Sequence, residues 1–224
     1  MRILGIIPAR GGSKGIPNKN IKILDGKPLI VYTIEATEDT MLRRVVVSTD
    51  CNKIAEVSKE NGAEVIMRSA DLARDNTPTL PVIQDVLNRL NEKYDAVMVL
   101  QPTSPIRNKL HINEAITLFI EKKAESLVSV VEVPHNFNPE SIYSLENDLL
   151  TNVMTTNNKI FNRHDKKTYY ARNGPAIIIT KTDIILNENS FYGKIITPYI
   201  MSAEHSLDID EPIDFRIVEA LLGS

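Results

Sequence analysis

Ile3-Leu4-Gly5-Ile6-Ile7-Pro8-Ala9-Arg10-Gly11-Gly12-Ser13-Lys14-Gly15-Ile16-Pro17-Asn18-Lys19-Asn20 joins an apolar run to a loop rich in glycine and lysine. An apolar run of about five residues is too short to span a bilayer or to form a signal-peptide core, and it reads as a buried first strand. The loop lies just past that strand, where ligands bind in open α/β sheets. Gly11, Gly12 and Gly15 let main-chain N–H groups approach a polyphosphate, and Arg10, Lys14 and Lys19 place positive charge around it. The combination argues for a nucleoside triphosphate. No Gly-Lys-Ser/Thr closes the loop at Walker A spacing, and the dinucleotide pattern Gly-x-Gly-x-x-Gly is absent. A flexible loop with solvated lysines is the competing reading of this stretch taken alone.

Outward from the loop, apolar runs rich in Ile, Val and Leu recur at 45–47, 65–67, 97–100 and 127–131, each suited to a strand covered on both faces. Helical patterns separate them. Pro28 can stand in the first turn of a helix carrying Leu29, Ile30 and Ile34, and Asn52 can cap one carrying Ile54, Ala55 and Val57 that Gly62 ends. Further helices are predicted over 80–91 and 110–122 from apolar residues at helical spacing. Strands alternating with helices imply a parallel sheet with right-handed crossovers. The rhythm fails over 134–167, a polar stretch with many asparagines that suits an excursion or a dimerisation arm. It resumes with strands at 176–179 and 195–200 and a final helix from Pro212 to Leu222.

A length of 224 residues and 42% hydrophobic content fit one globular domain, 1–224, rather than two. The formal charge of −3 carries no concentrated basic block, which argues against a nucleic-acid partner while leaving small anions open. A single cysteine, Cys51, forms no internal disulfide and points to a reducing compartment, so a soluble, cytoplasmic protein with no membrane partner is expected. His111, His135, His164 and His205 lack metal-ligand spacing.

Four ordered blocks carry a resemblance: the 7–20 loop, Val47-Ser48-Thr49-Asp50, Leu100-Gln101-Pro102-Thr103-Ser104-Pro105-Ile106-Arg107 and Ser206-Leu207-Asp208-Ile209-Asp210. With them the chain resembles, nearly end to end, the CMP-sialic acid synthetase (acylneuraminate cytidylyltransferase) family, which includes relatives for Kdo, pseudaminic and legionaminic acids. The resemblance implies a Rossmann-like, mostly parallel α/β sheet with helices on both faces, of the nucleotide-diphospho-sugar transferase type. It also implies CTP as nucleotide, a nine-carbon sugar acid as acceptor, a Mg2+ requirement and a homodimer whose arm, 134–172, reaches the partner's sugar site.

Residue by residue, Arg10, Ser13, Lys14, Lys19 and Asn20 match the family's triphosphate loop, to which Gly11, Gly12 and Gly15 belong. Arg68 and Thr79 match residues that hold the cytidine end. Gln101, Arg163 and Asn173 fall on the sugar side, Arg163 at the position thought to meet the sugar carboxylate. Asp208 and Asp210 match the metal-binding aspartates. Their spacing alone puts both carboxylates on one side of an extended segment, as magnesium favours, although an exposed acidic strand end competes with that reading. Catalysis is expected from Arg10, Lys19, Asp208 and Asp210.

Asn173-Gly174-Pro175-Ala176-Ile177 departs from the family's common Asn-Gly-Ala-Ile-Tyr. The inserted proline and missing tyrosine leave the sugar acid open among sialic, legionaminic, pseudaminic and other nonulosonic acids. Two other readings stand beside this one. A glycosyltransferase could use Asp208-Ile209-Asp210 as an Asp-x-Asp metal site, and an inactive nucleotide-binding module could keep the sheet and loop.

Overall fold

A computed structural model describes residues 1–13, 15–154, 167–174 and 176–223. In chain order the main elements are β1 (Ile3–Pro8), the short pair β2 (Ile23–Leu24) and β3 (Lys27–Pro28), α1 (Leu29–Ala36), β4 (Arg44–Thr49), α2 (Asn52–Glu60), β5 (Glu64–Met67), α3 (Thr79–Arg89), β6 (Ala96–Val99), α4 (Lys109–Glu121), β7 (Ser126–Glu132), β8 (Tyr143–Glu146), β9 (Leu149–Asn152), β10 (Tyr170–Arg172), β11 (Ile178–Lys181), α5 (Thr182–Asn187), β12 (Ile196–Met201) and α6 (Pro212–Leu222). The main sheet runs β10-β7-β11-β6-β1-β4-β5, and β12 pairs with the outer edge of β7.

Side-chain alternation along the strands divides the core into two faces, as a period of two requires. Ile3 and Ile7 of β1, with Ala96 and Met98 of β6, pack against α1, α2 and α4 through Ile30, Ile54, Ile116 and Phe119. Their neighbours Leu4, Ile6, Val97 and Val99 turn to the other face and meet Ile83 and Val86 of α3 and Ile185 of α5. Each fully buried Ile, Leu or Phe contributes about 1.5–3 kcal/mol of transfer free energy, so this two-sided burial outweighs any local propensity. A smaller cluster joins Ile16 of the glycine loop, Leu24, Leu29 and Ile209 to Phe215 and Val218 of α6.

The mostly parallel sheet with helices on both faces is as expected; its last strands correct the wholly parallel rhythm. β1 pairs in parallel with β4 and β6, and β4 with β5. β11 instead lies antiparallel between β6 and β7, and β10 runs antiparallel to the far half of β7. The physical reason is the excursion after β7: the chain returns along β7 in the reverse direction before it enters the sheet. β12 then restores a parallel pairing.

Two helix starts also differ by one residue from expectation. Pro28 precedes α1 as its cap position, and Asn52 is the first residue of α2 rather than its cap, which Cys51 occupies. The Cys51 N–H donates to the Thr49 hydroxyl at 3.1 Å, so the strand end supplies the turn that Asn52 was expected to make. No described helix is long and apolar enough to cross a membrane.

Candidate active site

The C-terminal ends of β1, β4, β5 and β6 deliver their loops to one edge of the sheet, where open α/β sheets bind ligands. The glycine loop is tied down at several points. Ala9 N–H donates to Ser48 O at 2.9 Å, Gly11 N–H to Asp50 Oδ1 at 3.1 Å, and the buried Asn20 amide to Arg10 O at 2.9 Å. Lys19 Nζ crosses to the other wall, donating to Ile209 O at 2.6 Å and to Asp210 Oδ1 at 3.2 Å. Gly15 lets the two walls close up, since a β-carbon there would lie 2.6 Å from the Asp210 carbonyl oxygen.

Between these walls lies a cleft of about 370 Å³. Of the residues singled out from sequence, Arg10, Ser13, Gly15, Lys19, Asn20, Arg68, Thr79, Gln101 and Asp210 line it. Gly11 and Gly12 form the loop behind them. Arg10 reaches across to Asp75, Nη1 to Oδ1 at 2.6 Å. Arg68 is buried, its Nη1 donating to Ser48 O at 3.1 Å and its Nη2 standing 3.7 Å from Asp50 Oδ1. Burial lowers the Arg68 pKa, and the Asp50 charge opposes that shift. A lowered arginine remains charged at neutral pH, so the cleft holds a fixed, poorly hydrated cation, suited to an anion.

The two aspartates sit in different surroundings. Asp210 is 76% exposed in its side chain and pairs with Lys19. Asp208 packs under Gly174, and its Oδ1 is buried with no hydrogen-bond partner. Burial raises the Asp208 pKa; the Thr103 hydroxyl lowers it and the Asp210 charge raises it again. An orphaned buried carboxylate oxygen beside a second carboxylate is a donor set that a hard cation satisfies, with phosphate oxygens and waters completing its shell. Among the described residues no group of three or more His, Cys, Asp or Glu is placed to hold a metal ion, at this pair or elsewhere.

Thr79 and Gln101 also line a second cavity of about 550 Å³, walled by Pro78, Leu80, Val99, Ile178, Phe191 and Tyr192 and edged by Arg172 and Gly174. Asn173 lines neither space. Its buried amide accepts from Ser129 Oγ at 2.7 Å and donates to Ser206 Oγ at 2.9 Å, which fastens the strand end to the segment that leads into Asp208. Lys14 and Arg163 lie outside the described residues.

Sequence reading missed several contributors. Arg107 is fully buried, and its guanidinium donates to Gln101 O at 3.2 Å, Ala176 O at 2.9 Å and Thr33 Oγ1 at 2.7 Å, so it fixes the backbone that presents Gln101. Burial pushes its pKa down to about 9. Leu72, Arg74 and Thr77 line the cleft as well. Asp50, at the end of the Val-Ser-Thr-Asp block, serves both Gly11 and Arg68; its place at a strand end was the available signal.

A cationic glycine loop faces Asp210 across a cleft at the strand ends of a mostly parallel sheet, with Asp208 buried behind it, an arrangement suited to a nucleotide's phosphates. The chain belongs to the cytidylyltransferase family, whose model matches residues 4–221. It is 36% identical over 218 residues to the N-acylneuraminate cytidylyltransferase of Escherichia coli O18:K1:H7, an alignment covering 96% of this chain and 51% of that protein. The chain thus spans about half the length of that relative. It is also 36% identical over 230 residues to the CMP-N,N'-diacetyllegionaminic acid synthase of Legionella pneumophila, covering 99% of this chain and 97% of the relative. The solved structure of a CMP:2-keto-3-deoxy-manno-octonic acid synthetase complexed with CTP shares the fold, with a TM-score of 0.77 at 16% identity over 100% of this chain and 99% of that one.

Proposed function

We propose that this protein transfers cytidylate from CTP to the anomeric hydroxyl of a nonulosonic acid, a sialic or legionaminic acid or a close analogue, and releases pyrophosphate. The observation that carries the reading is the Arg10 and Lys19 wall facing Asp210 across a cleft that shares Thr79 and Gln101 with a second cavity. One space suits the nucleotide and the adjoining one the sugar acid, with the reacting atoms meeting near Gln101. Relatives that make CMP-activated sialic and legionaminic acids support the choice of substrates.

In the reaction the anomeric oxygen forms a bond to the α-phosphorus, and the bond from that phosphorus to the β-bridging oxygen breaks. Charge accumulates on the phosphate oxygens, and this chemistry needs positioning and neutralisation more than covalent help. Arg10 exchanges Asp75 for the triphosphate, Lys19 stays between the loop and the aspartate segment, and the glycine-loop N–H groups take phosphate oxygens. Asp208 and Asp210 are the residues that would hold Mg2+, which when bound neutralises phosphate charge and lowers the pKa of an attacking hydroxyl.

The same reading treats 1–224 as one nucleotidyltransferase domain with 134–172 as a dimerisation arm. Leu145 and Leu150, paired across the β8–β9 hairpin, are 70% and 69% exposed on one face, an apolar pair that a second copy would cover. A cytoplasmic location, in keeping with a free cysteine, belongs to the reading too.

Asp210→Ala tests it. Turnover should vanish while far-ultraviolet circular dichroism and the unfolding midpoint stay close to wild type. Near-normal pyrophosphate release by the variant with magnesium present would sink the proposal.

A further inference from the structure

The second cavity is walled mainly by apolar side chains, yet it carries one charge among its described lining residues: Arg172, the last residue of β10. Its Nη1 donates to the Tyr192 hydroxyl at 2.5 Å, and its guanidinium carbon lies 5.8 Å from the centre of that ring. Tyr192 is fixed in turn, because its N–H donates to Ser190 Oγ at 2.9 Å and its carbonyl accepts from the same hydroxyl at 3.0 Å. A guanidinium offers five N–H donors in one plane. The phenol oxygen takes one of them, leaving the rest of this exposed guanidinium oriented at the edge of an apolar space.

A cation so placed selects an organic acid. A carboxylate can take two parallel hydrogen bonds from it, whereas a neutral sugar would desolvate the charge without replacing its water. The position fits the chemistry of a nonulosonic acid, whose carboxylate is bonded to the anomeric carbon and so must lie close to the nucleotide cleft. Two residues beyond Arg172, Gly174 lines the same cavity and touches Asp208. We infer that Arg172, oriented by Tyr192, anchors the substrate carboxylate and sets the specificity for sugar acids over neutral sugars. The inference rests on the proposed function and deepens it. It also departs from the family resemblance, which puts Arg163 in that role.

The test compares the wild type with Arg172→Met, Arg172→Lys, Tyr192→Phe and Arg163→Ala, using the preferred sugar acid as substrate and its C1 carboxamide as a competitive inhibitor. Arg172→Met should raise KM for the acid by about 10- to 100-fold, the loss of a charge-assisted pair, while CTP binding by calorimetry stays within about two-fold. The carboxamide, which has no charge to pair, should inhibit wild type and Arg172→Met equally. Arg172→Lys should recover part of the loss, Tyr192→Phe should show a smaller rise, and Arg163→Ala should keep the preference for acid over carboxamide.

An unchanged KM for the acid in Arg172→Met overturns the inference. Equal weakening of acid and carboxamide overturns it as well, by showing a packing role, and so does loss of the acid preference in Arg163→Ala alone. Unaltered CTP binding shows that the variants are folded. A wild type that releases no pyrophosphate with any sugar acid brings down the function itself and this inference with it.

Discussion

Gly174 and Asp208 are in contact through a space that admits no side chain: a β-carbon on Gly174 would lie 2.5 Å from Asp208 Oδ2. Gly174 also holds φ at +65°, in the left-handed region that side chains disfavour by about 1–2 kcal/mol. The strand end that edges the second cavity therefore sets the position of the buried Asp208 carboxylate, two residues before the Asp210 that lines the cleft. Gly174→Ala should displace Asp208 and lower kcat by at least about 100-fold, a misplacement effect, while costing only about 1–2 kcal/mol of stability. Steady-state kinetics beside urea unfolding measure both. A variant that loses stability but keeps kcat would separate Gly174 from the chemistry.

Arg107 holds three parts of the chain together from inside the protein, through Thr33, Gln101 and Ala176. Arg107→Met removes the cation and leaves two buried carbonyls short of a donor, at about 1–3 kcal/mol for each unmet group. The urea midpoint should fall by the equivalent of about 2–4 kcal/mol. Because Gln101 lies at the junction of the cavities, KM for the sugar acid should rise too. An unchanged midpoint would contradict the assigned role.

His111 gives stability a pH dependence. Its Nδ1 accepts the Asn108 N–H at 3.2 Å within a capping box, and its ring stands 4.5 Å from that of His205. Burial lowers the His111 pKa, the neighbouring His205 lowers it further, and Glu114 opposes them. Between the lowered folded value and the unfolded value near 6.5 the unfolded chain binds a proton that the folded chain does not, so stability is lost as pH falls through that window. His111→Gln keeps a side chain that suits the capping box and removes the titration. Thermal melts between about pH 7.5 and pH 5.5 should show a flatter decline in the variant than in wild type. Equal declines would place the sensitivity elsewhere.

Asp50 links the glycine loop to the buried cation. Asp50→Ala deprives Gly11 N–H of its acceptor and Arg68 of its nearest carboxylate, so KM for CTP should rise by about 10-fold. Asp50→Asn, which keeps an acceptor for Gly11, should recover part of that loss. Equal KM values for CTP in all three proteins would show that the loop keeps its shape without Asp50.

Much of this was legible in sequence because the signals are local. An Ile- and Leu-rich run ending in Pro-Ala-Arg-Gly-Gly identified β1 and the loop it feeds. The direction of β10 and β11 was not legible, since an apolar run reads alike in either direction and only its partners decide its sense. The β8–β9 hairpin did leave a mark: Asn147 and Asp148 both take positive φ, the Asn/Asp pairing that suits a tight hairpin turn, between short apolar groups.

The site divided in the same way. Alternation placed Asp208 and Asp210 on one side of an extended segment, but their different environments come from Gly174 and Lys19, which lie far off in the chain. Arg107 sat inside a quoted block without a role, because the carbonyls it serves belong to residues 101 and 176. Arg172 fell at the end of the 134–172 arm with no role of its own until Tyr192 was beside it.

The central claim is the joining of CMP to a sugar acid, and the direct measurement follows both products at once. The protein is incubated with CTP, magnesium and, separately, N-acetylneuraminic, legionaminic, pseudaminic and Kdo acids, with pyrophosphate assayed and the nucleotide products weighed by mass spectrometry. The account predicts pyrophosphate and a CMP-sugar ester in equal amounts with one of the nine-carbon acids. Pyrophosphate without the ester, or neither product with any acid despite CTP binding, would contradict it.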